Sequence, residues 1–203
     1  MNKKTISKLA LGLLAALSFN AIAQESPWLV RVRATNLNWD NGQTSTVQAL
    51  DVNAKDKTIP EFDISYFFNK NIAAELVLTY PQKVDLRAGS TKIAEVKALP
   101  PTLLLQYHFT DFGPLKPYVG AGVNYTRFSS YKDLNSGLNT SADKSSVGLA
   151  AQVGADYMLT KNWGINLDVK YINIKTEVYA AGAHIGHLDL SPIATSVGVT
   201  YKF

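Results

Sequence analysis

Thr195-Ser196-Val197-Gly198-Val199-Thr200-Tyr201-Lys202-Phe203 closes the chain, with an apolar side chain on every second position. Successive side chains of a strand point to opposite sides. Val197, Val199, Tyr201 and Phe203 therefore share one face, and Gly198, Thr200 and Lys202 the other. An aromatic-tipped edge left open invites pairing with other chains. A strand that closes a barrel in an outer membrane has neighbours on both edges, and its apolar face meets lipid. Tyr201 and Phe203 at the carboxyl terminus have the form of an assembly signal read by the outer-membrane assembly machinery.

The other end of the chain agrees. Lys3, Lys4 and Lys8 precede a short apolar run, Leu9 to Phe19, and Ala21-Ile22-Ala23 has the small-x-small form of a cleavage site. Residues 1–23 are expected to be a secretory signal peptide, and 24–203 a single transmembrane domain. The apolar run is shorter than the roughly 20 residues needed to span a bilayer as a helix. Cleavage removes three lysines and lowers the formal net charge from +4 to +1, so the basic balance says nothing of nucleic acid. The chain has no cysteine, and stability must come from a core or a lipid-embedded barrel. No later stretch is apolar enough for a helical span.

Period two runs through the rest. Trp28, Val30, Val32 and Ala34 alternate with Leu29, Arg31, Arg33 and Thr35, and Phe62, Ile64, Tyr66 and Phe68 with Glu61, Asp63, Ser65 and Phe67. Ile72, Ala74, Leu76, Leu78 and Tyr80 oppose Ala73, Glu75, Val77 and Thr79. A fourth strand is expected over about 93–109, a fifth from Pro117, a sixth over Val147 to Tyr157 and a seventh over Trp163 to Tyr171. With the terminal strand these make eight. The connections alternate short (69–71, 110–116, 160–162) and long (39–58, 87–92, 129–144, 180–187), as periplasmic turns and external loops do. Phe68, Tyr107, Phe109, Tyr157, Trp163, Tyr201 and Phe203 collect at the short-turn ends, and Tyr80, Tyr125 and Tyr171 at the others. Two aromatic belts a membrane apart favour an eight-stranded antiparallel β-barrel of the outer membrane over a soluble lipocalin-like barrel. Such a barrel contacts outer-membrane lipid and is expected as a monomer.

With the apolar face in lipid, the lumen receives Arg31, Arg33, Glu61, Asp63, Glu75, Asp156, Asp168, Lys170 and Lys202, together with Leu29, Phe67, Val77, Leu104 and Ile172. Eight strands leave an interior just wide enough for side chains. Both a salt-bridged plug and a narrow, partly apolar conduit fit these residues. Pro81 and Pro100-Pro101 fall in one hairpin. Proline cannot donate to a ladder, and the reading is a weakened lateral seam near the outer surface or an ordinary bend above the bilayer.

Leu99-Pro100-Pro101-Thr102-Leu103, Pro117-Tyr118-Val119-Gly120-Ala121-Gly122-Val123-Asn124-Tyr125-Thr126 and Gln152-Val153-Gly154-Ala155-Asp156-Tyr157 resemble the OmpW family. Asn71-Ile72, Glu75-Leu76 and the Tyr201-Lys202-Phe203 ending fit as well. The resemblance implies an outer-membrane barrel with a narrow, largely hydrophobic lumen that binds or passes small hydrophobic molecules, and no catalytic activity. It also implies that Val77 and Lys170 face the lumen near mid-barrel, where family members narrow the bore with apolar side chains. Lys170 departs from that pattern. Asp168, two residues back, is its expected partner, and a cation there would favour amphipathic or anionic guests. The rival reading is a closed structural or adhesion barrel whose long loops contact external partners.

Catalysis needs a nucleophile, a base and an orienting acid on one side of the wall. His108 stands beside Gln106 with no serine near it. His184 and His187 lie near Asp189 and Ser191, in a stretch that reads as loop. Neither an enzyme nor a metal site is expected, and no cofactor is implied. Gly120-Ala121-Gly122 leads no helix and reads as close strand packing rather than a phosphate loop.

Overall fold

The computed structural model describes residues 26–39, 42–43, 52–54, 56–88, 91–133, 140–142, 145–180 and 183–203. The expected signal peptide lies outside them. Eight strands close on themselves: β1 (Trp28–Trp39), β2 (Lys57–Phe67), β3 (Ile72–Thr79), β4 (Thr102–His108), β5 (Leu115–Asp133), β6 (Ser145–Met158), β7 (Trp163–Ile172) and β8 (Pro192–Lys202). Each pairs antiparallel with its sequence neighbours, and β8 returns to β1 with Leu29 opposite Lys202 and Trp39 opposite Pro192.

The alternation in the chain sets the two faces. Along β7 every residue from Trp163 to Ile172 switches between exposed and buried. Outward stand Trp163, Ile165, Leu167, Val169 and Tyr171; inward stand Asn166, Asp168, Lys170 and Ile172. The outward face is apolar all round the wall, with Val147 at 74%, Leu149 at 72% and Leu167 at 63% exposure. A continuous exposed apolar band around a charged interior is the inside-out pattern of a membrane barrel. Edge-to-face aromatic pairs line its lower border: Trp28 with Tyr66 at 4.9 Å, Tyr107 with Phe109 at 5.0 Å, and Trp163 with Tyr201 at 4.7 Å between ring centroids.

The turns at this end are short and capped by side chains. Asn69 Oδ1 accepts from the backbone N–H of Asn71 and of Ile72, each at 2.9 Å, and Thr160 Oγ1 accepts from Trp163 N–H at 2.9 Å. The start of β1 and the end of β8 meet here.

At the opposite end the long connections differ from their expected form. Strand five runs on to Asp133, and the expected loop at 180–187 is largely strand, since Lys175–Ala180 pairs with Ala183–Asp189. Short strands Gly42–Gln43, Val52–Ala54 and Thr140–Ala142 add to the rim. The expected fourth strand, 93–109, is two strands, Thr91–Leu99 and β4, separated at Pro100-Pro101. Backbone groups beyond the bilayer still pair with one another, and the two prolines, which bring no N–H, divide the expected fourth strand.

Candidate functional site

The lumen has two tiers. In β1 the inward residues climb Leu29, Arg31, Arg33, Thr35, Leu37, Trp39, so charge gives way to apolar side chains toward the rim. The same order holds in β7, where Asn166, Asp168 and Lys170 lead to Ile172 and then Ile174.

The lower tier is a plug. Arg31 lies opposite Asp63 across β1–β2, and Arg33 opposite Glu61. Arg31 grips Asp156 with two bonds, Nε to Oδ1 at 3.1 Å and Nη2 to Oδ2 at 2.7 Å, donates Nη1 to Glu75 Oε1 at 2.6 Å, and lies 4.8 Å from the Tyr118 ring centroid. Arg33 is the hub. It approaches Asp63 at 2.6 Å, Glu61 at 2.9 Å, and Glu75 and Asp168 at 3.4 Å each. Lys170 Nζ lies 2.6 Å from Asp168 Oδ1 and 3.1 Å from Glu61 Oε1. All eight of these charged residues are buried. Five carboxylates thus surround three cations, and the guanidinium of Arg33 serves four of the five.

Neutral groups knit the plug together. Tyr118 Oη donates to Asp168 Oδ2 at 3.0 Å and accepts from Asn166 Nδ2 at 3.0 Å. Gln152 Nε2 donates to Asp168 Oδ2 at 2.7 Å, Gln106 Nε2 to Gln152 Oε1 at 3.1 Å, and His108 Nε2 meets Gln106 Oε1 at 3.0 Å. Two glycines make room. A Cβ on Gly154 would lie 2.4 Å from Tyr118 Oη, and one on Gly198 2.2 Å from the Val32 carbonyl oxygen and 2.6 Å from Arg33 Cγ. Tyr118 was not singled out in the sequence, although its inward parity beside Gly120 and Gly122 marks a bulky group set among small ones.

The upper tier is apolar. Leu37, Ile59, Val77, Leu104, Ala150, Ile172, Ile174 and Leu190 form one buried cluster with Trp39, Ala98, Phe128 and Ala194. Val77 and Leu104 belong to this cluster, and Lys170, two residues before Ile172 on β7, belongs to the plug through Asp168 and Glu61. Because two carboxylates already meet its ammonium, Lys170 has little charge left to draw an anionic guest.

A small apolar pocket in the upper tier is lined by Leu37, Trp39, Ala98, Phe128, Ile174 and Leu190, and it reaches Gln82 and Pro100 in the wall. There the strand pairing is interrupted. The β3–β4 ladder ends at Val77 opposite Thr102, and pairing resumes at Gln82 opposite Ala98, where the rim strand Gln82–Ala88 meets Thr91–Leu99. Leu78 and Thr79 pair back to β2, and Leu99 pairs to β5. The carbonyl of Pro101 accepts from Tyr125 N–H at 3.0 Å, while those of Tyr80 and Pro100 accept from the side chains of Gln82 and Thr102. Pro81, Pro100 and Pro101 thus border a gap in the ladder beside the apolar pocket.

The side chains of His184 and His187 lie outside the described residues. Ser191 Oγ donates to Asp189 Oδ1, and its N–H donates to the same oxygen at 3.0 Å. Among the described residues no group of three or more histidines and carboxylates is arranged to hold a metal.

An apolar belt around a closed wall, aromatic girdles and a charged interior define an outer-membrane β-barrel of the eight-stranded class. The family model described as OmpW family matches residues 24–203, and the chain belongs to that family. It is 36% identical to outer membrane protein W of Vibrio cholerae over 99% of this chain and 100% of that one. It is 28% identical to the dibenzothiophene metabolism operon protein PahQ of Pseudomonas aeruginosa, over 89% of this chain and 90% of the other. Among solved structures it is similar to the outer membrane protein OprG of Pseudomonas aeruginosa, with a TM-score of 0.72, 28% identity, and coverage of 89% of this chain and 97% of that one.

Proposed function

We propose that the barrel takes up small hydrophobic or amphipathic molecules at its external end and releases them sideways into the outer membrane. The observation that carries this reading is the vertical order of the lumen: an apolar tier beside an interruption in the ladder, above a plug of buried ion pairs. A guest without charge partitions into the upper tier because its apolar surface leaves water there. Moving further down means displacing Arg33 and Lys170 from their carboxylates with nothing polar offered in return. The gap beside Pro100 lets the guest pass between strands without breaking a ladder bond. A relative named for a dibenzothiophene metabolism operon supports an aromatic or otherwise apolar guest. Tyr201 and Phe203 are read as the assembly signal, and residues 1–23 as the segment removed on export.

The test is transfer of an apolar fluorescent solute from water into vesicles carrying the refolded barrel. Ala98 is buried and lines both the pocket and the gap. Ala98→Trp fills that space, and transfer is expected to slow about ten-fold, the equivalent of ~1.4 kcal/mol in the barrier. A filled pocket with unchanged transfer would move the route elsewhere.

A further inference from the structure

We propose that the passage out of the upper tier selects uncharged guests bearing a hydroxyl group, an apolar ring with one O–H, and that the side-chain carbonyl of Gln82 receives that O–H. The inference rests on the uptake reading above and names its substrate class. Gln82 is 2% exposed and lines the apolar pocket where the ladder resumes opposite Ala98. The backbone orients its amide, because Nε2 donates to the Tyr80 carbonyl at 2.9 Å. A carbonyl only accepts, so the NH2 end faces Tyr80 and Oε1 is left over. That oxygen is buried and has no hydrogen-bond partner among the described residues. A buried acceptor left unpaired is costly and uncommon.

The surrounding polar groups are already engaged. Thr126, also in the pocket, donates to Asn124 Oδ1 at 2.6 Å, and Thr102 donates to the Pro100 carbonyl at 3.4 Å. Asn124 Nδ2 donates to Thr102 Oγ1 and to the Pro101 carbonyl. Pro81, Pro100 and Pro101 bring no N–H. Thr79 is the exception. It shares the inward face with Val77, across Tyr80-Pro81 from Gln82, and its Oγ1 is likewise buried without a partner. The interruption in the ladder thus carries an unanswered carbonyl on one side and an unanswered hydroxyl on the other. A guest hydroxyl answers both kinds of group, donating to Gln82 and accepting from Thr79.

The rest of the pocket sets the body of the guest. Leu37, Ile174 and Leu190 line it with the rings of Trp39 and Phe128, and no charged residue does. An ammonium or carboxylate guest would lose its hydration there with no counter-ion in return. A water needs several polar partners, whereas a guest hydroxyl needs one or two and its ring covers the apolar remainder. A site that hydrogen-bonds a substrate O–H discriminates against the analogue lacking it.

The experiment follows a matched fluorescent pair, naphthalene and 2-naphthol, from water into vesicles carrying the refolded barrel, with transfer into barrel-free vesicles subtracted. The readout is the ratio of the two barrel-dependent rates, which a purely structural role of Gln82 would not move. The parent ratio is expected to favour 2-naphthol. Gln82→Met keeps a similar shape and removes the carbonyl, and should lower the ratio about five-fold, the weight of one neutral hydrogen bond. Thr79→Val removes the hydroxyl at constant shape, should move the ratio the same way, and carries the test if Gln82→Met does not fold. An unchanged ratio in the folded variants overturns the proposal, while barrel-dependent transfer of naphthalene leaves the uptake reading standing. A parent barrel that accelerates neither solute overturns the uptake reading and this inference with it.

Discussion

Arg33→Leu is expected to destabilise the barrel by about 3–5 kcal/mol, the cost of leaving buried charge without its partner. Arg33 is fully enclosed and stands within 3.4 Å of Glu61, Asp63, Glu75 and Asp168. Leucine fills part of the volume but returns no charge, and four carboxylates are left with Lys170 and a shared Arg31. The effect is specific to breaking the network. Replacing a whole buried ion cluster by neutral groups of similar shape is close to neutral, so Arg33→Leu combined with Glu61→Gln and Asp63→Asn should recover most of the loss. Reversible unfolding in denaturant, with the folded barrel and the unfolded chain resolved by gel mobility, reads both values. A single-variant loss under about 1 kcal/mol would show that the plug is hydrated and does not seal the lumen.

The second large effect belongs to the gap. Pro81, Pro100 and Pro101 bring no N–H to the stretch between the Val77–Thr102 and Gln82–Ala98 pairs. Pro100→Val/Pro101→Val supplies two donors and a β-branched pair suited to a strand. The ladder is then expected to zip through this stretch. Amide exchange at Leu78, Tyr80 and Leu99 should slow by about ten-fold or more, as local opening becomes costlier. Transfer of apolar solute should fall by a similar factor, with unfolding stability unchanged or raised. Slow exchange at Tyr80, which is in no ladder pair, would in the parent protein itself contradict a seam. Strong exchange protection at Leu78, Ala98, Leu99 or Thr102 alone would not, because each is already paired with a neighbour.

What was legible in the chain follows from the range of each interaction. Alternation such as Val197, Val199, Tyr201 requires only the geometry of one strand, and the barrel with its membrane-facing side could be read from eight such segments and two aromatic belts. Asp168 and Lys170 share a face at a spacing of two, so their contact was also readable. The partners of Arg33 were not. Glu61 and Asp63 come from the hairpin register, Glu75 from β3 beyond β2, and Asp168 from β7 beyond β8 on the other side, positions set by the stagger of the closed barrel. The same stagger stacks Val77, Leu104 and Ile172 in a layer of their own above the charges. The choice between plug and conduit could not be made from the residues because the lumen holds both charged and apolar side chains, one set above the other. The rim strands were missed for a different reason: Val52–Ala54 and Thr140–Ala142 are too short to display a period.

The most direct test of lateral release is ion conductance of the folded barrel in a planar bilayer, recorded while an apolar solute is delivered to the external side and its arrival in the lipid is followed by fluorescence. The lumen described above predicts a barrel silent to ions that still accelerates arrival of the solute in the membrane. A steady ion current that the solute blocks would contradict it, because guest and ions would then share a path through the plug.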